Sequence, residues 1–334
     1  MKHCFALSAI ALSCALLTAC TPSKGKVVIA HRGASGYLPE HTFAAKVLAY
    51  AQGADYIEQD VVLTKDGAPI IIHDIFLDGT TDVDSCFPGR ARADGHYYAI
   101  DFTLGEIRQL HAHERVDDTT GEPVFSNRFG LGGPNFEVHT LDEEIELVQR
   151  LNRESGREVG LYVEIKKPAF HKREGQDITH IVIETLARYG YAKRDSKCWI
   201  QCFESATLKR LHSEFACKLR MTQLIGQSGE EEDSADDYAA MTTAAGLVDI
   251  ARFADAIGPS IRQVLAKDSI GIPVPTDLTK NAHKAGLLVH PYTLRRDNLP
   301  KGISEGMVLT LLFNIAGVDG VFTDFPDSSV AFLR

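Results

Sequence analysis

Tryptophan occurs once and methionine four times in the 334 residues, and the seven cysteines include three within the first 20 positions. No two cysteines stand in a Cys-x-x-Cys pair, which argues against metal-thiolate chemistry. An excess of basic residues is also missing: 35 Lys and Arg against 45 Asp and Glu leave a formal net charge of -10 and a pI near 5.7. Phosphate-backbone binding depends on many Lys and Arg contacts, so nucleic acid is not an expected partner. What is present is 44% hydrophobic and 24% charged residues. That balance rules out fibrous and disordered classes and supplies one large core or two smaller ones.

The N-terminus departs from this average. Lys2 and His3 precede an apolar and small-residue run from Cys4 to Leu17, followed by Thr18-Ala19-Cys20 and a polar stretch, Thr21 to Lys24. The run is shorter than the roughly 20 residues a transmembrane helix needs. It has the shape of a secretory signal over residues 1–19, with a linker over 20–25. Leu17-Thr18-Ala19-Cys20 resembles a bacterial lipobox, which implies an exported protein held in the cell envelope, at the outer membrane, by lipid on Cys20. The alternative is ordinary cleavage near Ala19 and a soluble product. Cys86, Cys198, Cys202 and Cys217 would then lie in an oxidising compartment. If Cys198 to Cys202 is extended, their Cα atoms stand about 13 Å apart at 3.3 Å per residue, too far for a mutual disulfide.

From Lys26 onward short β-rich runs alternate with amphipathic helical ones. Strands are expected at Val27 to Ala30, Tyr56 to Leu63, Ile70 to Ile72, Leu161 to Ile165, Trp199 to Phe203, Leu219 to Leu224, Leu287 to His290 and Val318 to Phe322. Helices are expected at Phe43 to Gln52, Asp142 to Asn152, Ile178 to Tyr189, Ala206 to Phe215 and Asp277 to Lys284. Such alternation implies a mostly parallel sheet covered by helices, either doubly wound or closed. Carboxylates at the ends of several strands favour a (β/α)8 TIM-type barrel, whose functional groups converge on the C-terminal face. From about 75 to 135, Gly, Asp and aromatic residues accumulate without a clean period, and the segment reads as an insertion. The barrel domain is 26–334 including that insertion; without it roughly 250 residues remain, the usual barrel size. The acidic run Glu230 to Asp237 reads as a solvated loop or helix start.

Period-2 alternation puts Glu58 and Asp60 on one face of Tyr56-Ile57-Glu58-Gln59-Asp60-Val61, and Tyr162, Glu164 and Lys166 on one face of a later strand. Two carboxylates about 4 Å apart repel by roughly 4 kcal/mol at an effective dielectric near 20, so a converging trio calls for a proton or a cation. Oxygen ligands alone suit hard ions, Ca²⁺ or Mg²⁺; the rival is Zn²⁺ with His31 or His73 as a further ligand. His31-Arg32 ends the first strand, and His73-Asp74 follows Ile70-Ile71-Ile72. Two imidazoles beside the acids suit paired proton transfer near neutral pH.

His31-Arg32, Glu58-x-Asp60, His73-Asp74, Val163-Glu164-Ile165-Lys166 and the terminal Asp319-Gly320-Val321-Phe322-Thr323-Asp324-Phe325-Pro326, in this order, resemble the glycerophosphodiester phosphodiesterase family, in particular its bacterial periplasmic branch. The resemblance covers nearly everything after residue 26. It implies an α/β barrel with a small insertion after the second strand and hydrolysis of glycerophosphodiesters to glycerol 3-phosphate and an alcohol. By the same resemblance Glu58, Asp60 and Glu164 match the metal ligands, His31 and His73 the acid-base pair, and Arg32 and Lys166 the phosphate-neutralising groups, with Ca²⁺ the associated ion. Where many members carry Trp-Thr after the seventh strand, this chain has His290-Pro291-Tyr292-Thr293. A barrel phospholipase and a non-catalytic surface-binding lipoprotein are the competing readings.

Overall fold

A computed structural model describes residues 25–117, 119–131, 136–227, 234–269 and 271–334. The signal segment and Cys20 lie outside the described residues, as do 230–233 of the acidic run; Asp237 of that run caps the helix Tyr238–Met241. Among the described residues no helix is long and apolar enough to cross a membrane.

The strands are β1 (Val27–Ala30), β2 (Tyr56–Leu63), β3 (Pro69–Ile71), β4 (Gly160–Ile165), β5 (Cys198–Cys202), β6 (Arg220–Ile225), β7 (Ala256–Pro259), β8 (Leu265–Lys267), β9 (Pro273–Pro275), β10 (Leu288–Val289) and β11 (Gly320–Thr323). Eight of them run parallel in the order β10-β7-β6-β5-β4-β2-β1-β11. The two ends of this row meet through scattered hydrogen bonds, among them Phe322 N to Pro291 O at 3.0 Å and Asp319 N to Val289 O at 3.0 Å. The result is a nearly closed (β/α)8 barrel. Its strands are buried on both faces, as parallel strands under helices must be.

Alternation divides each strand between two apolar environments. Ile57, Val61, Val163 and Ile200 pack outward against the helices, whereas Ile29, Tyr56, Tyr162, Trp199 and Phe322 fill the barrel interior. The register pairs Glu58 with Tyr162 and Asp60 with Glu164, and then Glu164 with Gln201 on the next strand. Asp60, Glu164 and Gln201 therefore stand side by side one layer above the aromatic floor.

Two features of the strands go beyond the expectation from sequence. Ile70-Ile71-Ile72 does not belong to the barrel wall: β3 turns back antiparallel on β2, pairing Ile71 with Val61, so His73 reaches the site from a hairpin. The sixth barrel strand in chain order is β7, a four-residue piece containing Gly and Pro whose sequence carries little β signal. A Cβ at Gly258 would lie 2.5 Å from Leu224 Cδ2, so a larger residue there would oblige that side chain to shift. Between β3 and the helix Leu141–Ser155 the chain builds a second apolar cluster, with Val62, Ile70, Leu77, Phe102, Ile107 and Leu110 buried together. All four cysteines of the described residues are free, Cys198 and Cys202 both buried on β5.

Candidate active site

The turn after β1 brings the first functional groups over the barrel mouth. Arg32 adopts a left-handed φ of 57°, a conformation that costs a non-glycine residue about 1–3 kcal/mol and persists only where the surroundings enforce it. Here its backbone N–H donates to Glu58 Oε2 at 2.6 Å and its Nη1 donates to both Glu40 oxygens at 3.0 Å. Its Nε lies 3.2 Å from Asp60 Oδ2, at ion-pair distance but off hydrogen-bond geometry. Gly33 follows at φ 88°, where a Cβ would meet the Ala45 backbone at 2.8 Å.

Glu58, Asp60 and Glu164 are buried, and each offers a carboxylate oxygen such that all three lie within 4.8 Å of one another. Burial and the adjacent Asp60 push the Glu58 carboxyl well above its ordinary range. Burial acts the same way on Asp60, but Lys166, His73 and the His41 hydrogen bond outweigh it and hold Asp60 well below the usual range. Burial and the acidic neighbours thus oppose a full set of negative charges in the cluster, and a further positive charge would relieve that opposition. Asp60 Oδ1 and Gln201 Oε1 are buried with no hydrogen-bond partner among the described residues, and Gln201 Nε2 donates to Glu58 Oε1 at 3.4 Å. An unpartnered buried carboxylate oxygen is costly in a protein interior and well suited to a cation. The donor set fits a hard divalent ion, all oxygen and no thiolate.

The two histidines share one arrangement. His31 Nδ1 lies 2.7 Å from Asp324 Oδ1, and His73 Nδ1 lies 2.6 Å from Asp74 Oδ1. An ionised carboxylate only accepts, so Nδ1 carries the hydrogen in each ring and Nε2 is left with its lone pair. Lys166 Nζ sits 3.3 Å from His73 Nε2 and 2.6 Å from Glu164 Oε1. Burial and the neighbouring Arg32 lower His31 to about 4; His73 is lowered by burial, Arg32 and Lys166. Both rings are neutral in the free site near neutral pH.

All seven residues expected from the sequence meet at this mouth, and a cavity of about 140 Å³ is lined by His31, Arg32, Glu58, His73, Glu164 and Gln201. Tyr292, Thr293 and Arg295 also border a larger neighbouring cleft of about 590 Å³, whose wall includes Leu265, Leu299 and Ile303. The Tyr292-Thr293 segment, where the sequence departs from Trp-Thr, thus separates the two spaces.

Sequence reasoning missed the residues that hold these groups. His41, at φ 64°, places Nε2 2.9 Å from Asp60 Oδ2, and the fully buried Lys46 donates to the Glu58 carbonyl and pairs with Glu144 at 3.3 Å. Glu40, Arg115, Arg128 and Arg295 belong to the same surroundings. Lys46 sits within an ordinary helix pattern, and nothing local distinguishes it; Glu40-His41 just before that helix was the one visible signal.

Residues 31–328 match the model of the Glycerophosphoryl diester phosphodiesterase family. The chain belongs to the glycerophosphoryl diester phosphodiesterase family. As a member it is an enzyme, a phosphoric diester hydrolase. It is 41% identical over 330 residues to a glycerophosphodiester phosphodiesterase of Haemophilus influenzae, covering 92% of this chain and 90% of that one. A glycerophosphodiester phosphodiesterase of Treponema pallidum is 37% identical over 338 residues, with 96% and 94% covered. Among solved structures, a phosphodiesterase of Oleispira antarctica in complex with the product sn-glycerol-3-phosphate shares the fold at a TM-score of 0.61 and 22% identity, covering 92% of this chain and 96% of that one. A glycerophosphodiester phosphodiesterase of Thermotoga maritima does so at 0.57 and 18%, with 92% and 98% covered.

Proposed function

We propose that this member of the family hydrolyses glycerophosphodiesters to glycerol 3-phosphate and an alcohol, with His31 and His73 exchanging the protons beside a carboxylate-held divalent ion. The observation that carries the reading is that a cluster of three buried carboxylates, two of them lining one small cavity, lies beside two aspartate-backed histidines that line the same cavity. The Oleispira antarctica neighbour, bound to sn-glycerol-3-phosphate, supports the product. When bound, a hard ion such as Ca²⁺, or Mg²⁺ in its place, on Glu58, Asp60 and Glu164 supplies Lewis-acid charge at the phosphoryl oxygens.

The chain's own groups supply the rest. Arg32 turns a guanidinium toward the cavity, with no protein acceptor for its Nη2 among the described residues, and Lys166 adds a second positive charge; together they offset the phosphodiester anion. One neutral imidazole takes the proton of the entering hydroxyl as the new P–O bond forms. The other must give a proton to the departing alkoxide as the old P–O bond breaks. In the free site neither ring is charged, so the arriving phosphodiester anion is what favours protonation of one of them. The proton inventory is the same whether the entering oxygen is water or the substrate's neighbouring hydroxyl. The wide cleft past Tyr292 gives room for the alcohol end.

The direct test is coupled detection of glycerol 3-phosphate released from glycerophosphocholine by the full-length protein. Activity should vanish with chelator and return with Ca²⁺ or Mg²⁺. Release unaffected by chelator, or no release with either ion, would remove the reading.

The N-terminal segment adds a location to this proposal: export, and anchorage in the envelope through lipid on Cys20. Cys20→Ser should move the protein from the membrane fraction to the soluble fraction and block labelling by a fatty-acid probe. Unchanged fractionation and labelling would count against the anchor.

A further inference from the structure

The insertion contributes two arginines to the site, one behind each histidine. Arg115 Nη1 donates to Asp74 Oδ2 at 2.6 Å, the oxygen that His73 does not use, and its Nη2 and Nε donate to Glu40 at 2.7 and 3.1 Å. Glu40 in turn accepts from Arg32. Arg128 Nη2 donates to Asp324 Oδ2 at 2.7 Å, again the oxygen opposite the one facing His31. Arg128 is itself immobilised: its side chain is 3% exposed, its guanidinium stacks 3.6 Å from the Phe125 ring centroid, and it also bonds Asp297 and the Ser35 carbonyl.

Each histidine is therefore the inner end of a histidine-aspartate-arginine chain whose outer end is planted in the insertion. A carboxylate bonded at one oxygen alone can swing about its side-chain torsions and carry the imidazole with it. A guanidinium that donates one bond to the second oxygen, and whose other donors are held by Glu40 or by Asp297, restrains that swing, because those donors are rigidly coplanar. It also keeps that carboxylate ionised, and hence an acceptor for Nδ1–H: Asp74 and Asp324 both lie well below the usual carboxylate range, Asp74 through His73 and Arg115, and Asp324 through Arg295, His31 and Arg128, against burial in each case. Nε2 stays aimed at the cavity. We propose that Arg115 and Arg128 are positioning residues, and that the insertion orients both histidines of the site through them. The inference rests on the proton-transfer reading above, and it goes beyond it by giving the insertion a part in the reaction.

The two arginines are not equivalent. Asp324 Oδ2 also accepts from Arg295 Nε at 2.9 Å, so it retains one guanidinium when Arg128 is lost. Asp74 accepts from no other arginine among the described residues. Arg115→Gln should lower kcat by about 10- to 100-fold, the usual cost of removing an outer partner that orients a functional group, and Arg128→Gln by less.

The test is a double-mutant cycle on the full-length protein, with rates corrected for the folded fraction read from thermal melts. On a His73→Ala background, Arg115→Gln should cost no more than about twofold, since there is no imidazole left to orient. On a His31→Ala background its full cost should remain. The same factor on both backgrounds, or a loss accounted for by unfolding, would make Arg115 a structural residue and overturn the proposal. Should the Gln variant not fold, Arg115→Lys keeps the charge but cannot bridge Glu40 and Asp74 with a planar fork. It should be slowed, and wild-type turnover by it would equally overturn the proposal. The underlying reading fails separately: if His73→Ala turns over at the wild-type rate, proton transfer by His73 is wrong and this inference falls with it. If His73→Ala is slow and Arg115→Gln is fast, only the positioning role is lost.

Discussion

Replacing His31 or His73 by alanine should cut turnover by about two to four orders of magnitude, the usual worth of a general acid or base, while leaving affinity for the divalent ion nearly unchanged. The separation of effects follows from the geometry. Both rings spend Nδ1 on an aspartate, and the cluster of ligand atoms consists of carboxylates alone. The pH profile carries a second signature. A base must be neutral to act, and burial together with the positive neighbours lowers both histidines, His31 to about 4. The acid limb of kcat/KM should therefore fall below the ordinary histidine range and be displaced or lost in the alanine variants. Kinetics over pH and calorimetric titration with Ca²⁺ would check both parts. An alanine variant that loses the ion along with activity would mean that the ring is a ligand and would favour Zn²⁺.

Glu58→Gln and Asp60→Asn should do the reverse to affinity, abolishing binding of the ion and with it the activity. These substitutions keep the shape but replace an anionic ligand oxygen with a neutral amide, which weakens the donor set for a hard ion. Added ion should then stabilise only the wild type, by about 2.7 kcal/mol when its concentration is 100 times the dissociation constant. Thermal melts with chelator and with Ca²⁺ give the comparison directly. A Glu58→Gln protein stabilised by Ca²⁺ as fully as the wild type would show that the ion binds elsewhere.

These predictions draw on features of very different visibility in the chain. The alternation in Tyr56 to Leu63 already set Glu58 and Asp60 on one face, and the strand carries both inward as the pattern requires. The helices begin within about a residue of their expected starts because capping is local: Thr140 and Glu143 close a reciprocal box at the head of Leu141–Ser155. By contrast β7 has almost no strand composition, and β3 has a strong one yet stands outside the barrel wall. Strand composition records burial, and burial is shared by barrel strands and by a hairpin tucked beneath an insertion. Which runs pair in parallel depends on partners far along the chain.

The same division runs through the site. From the sequence alone came the alternating strands, the placement of carboxylates and histidines at strand ends, and the resemblance carried by their order, all set by neighbours within a few residues. The tertiary structure alone decided which groups hold them. His41 reaches Asp60 across 19 positions, Arg115 reaches Asp74 across 41 and Glu40 across 75, and Arg128 reaches Asp324 across 196. An arginine in an aperiodic segment looks like any solvated cation until folding removes the water around it and leaves a carboxylate as its partner. Local periodicity encodes the face of an element, whereas contacts of this span exist only once the barrel has closed and the insertion has docked on its mouth.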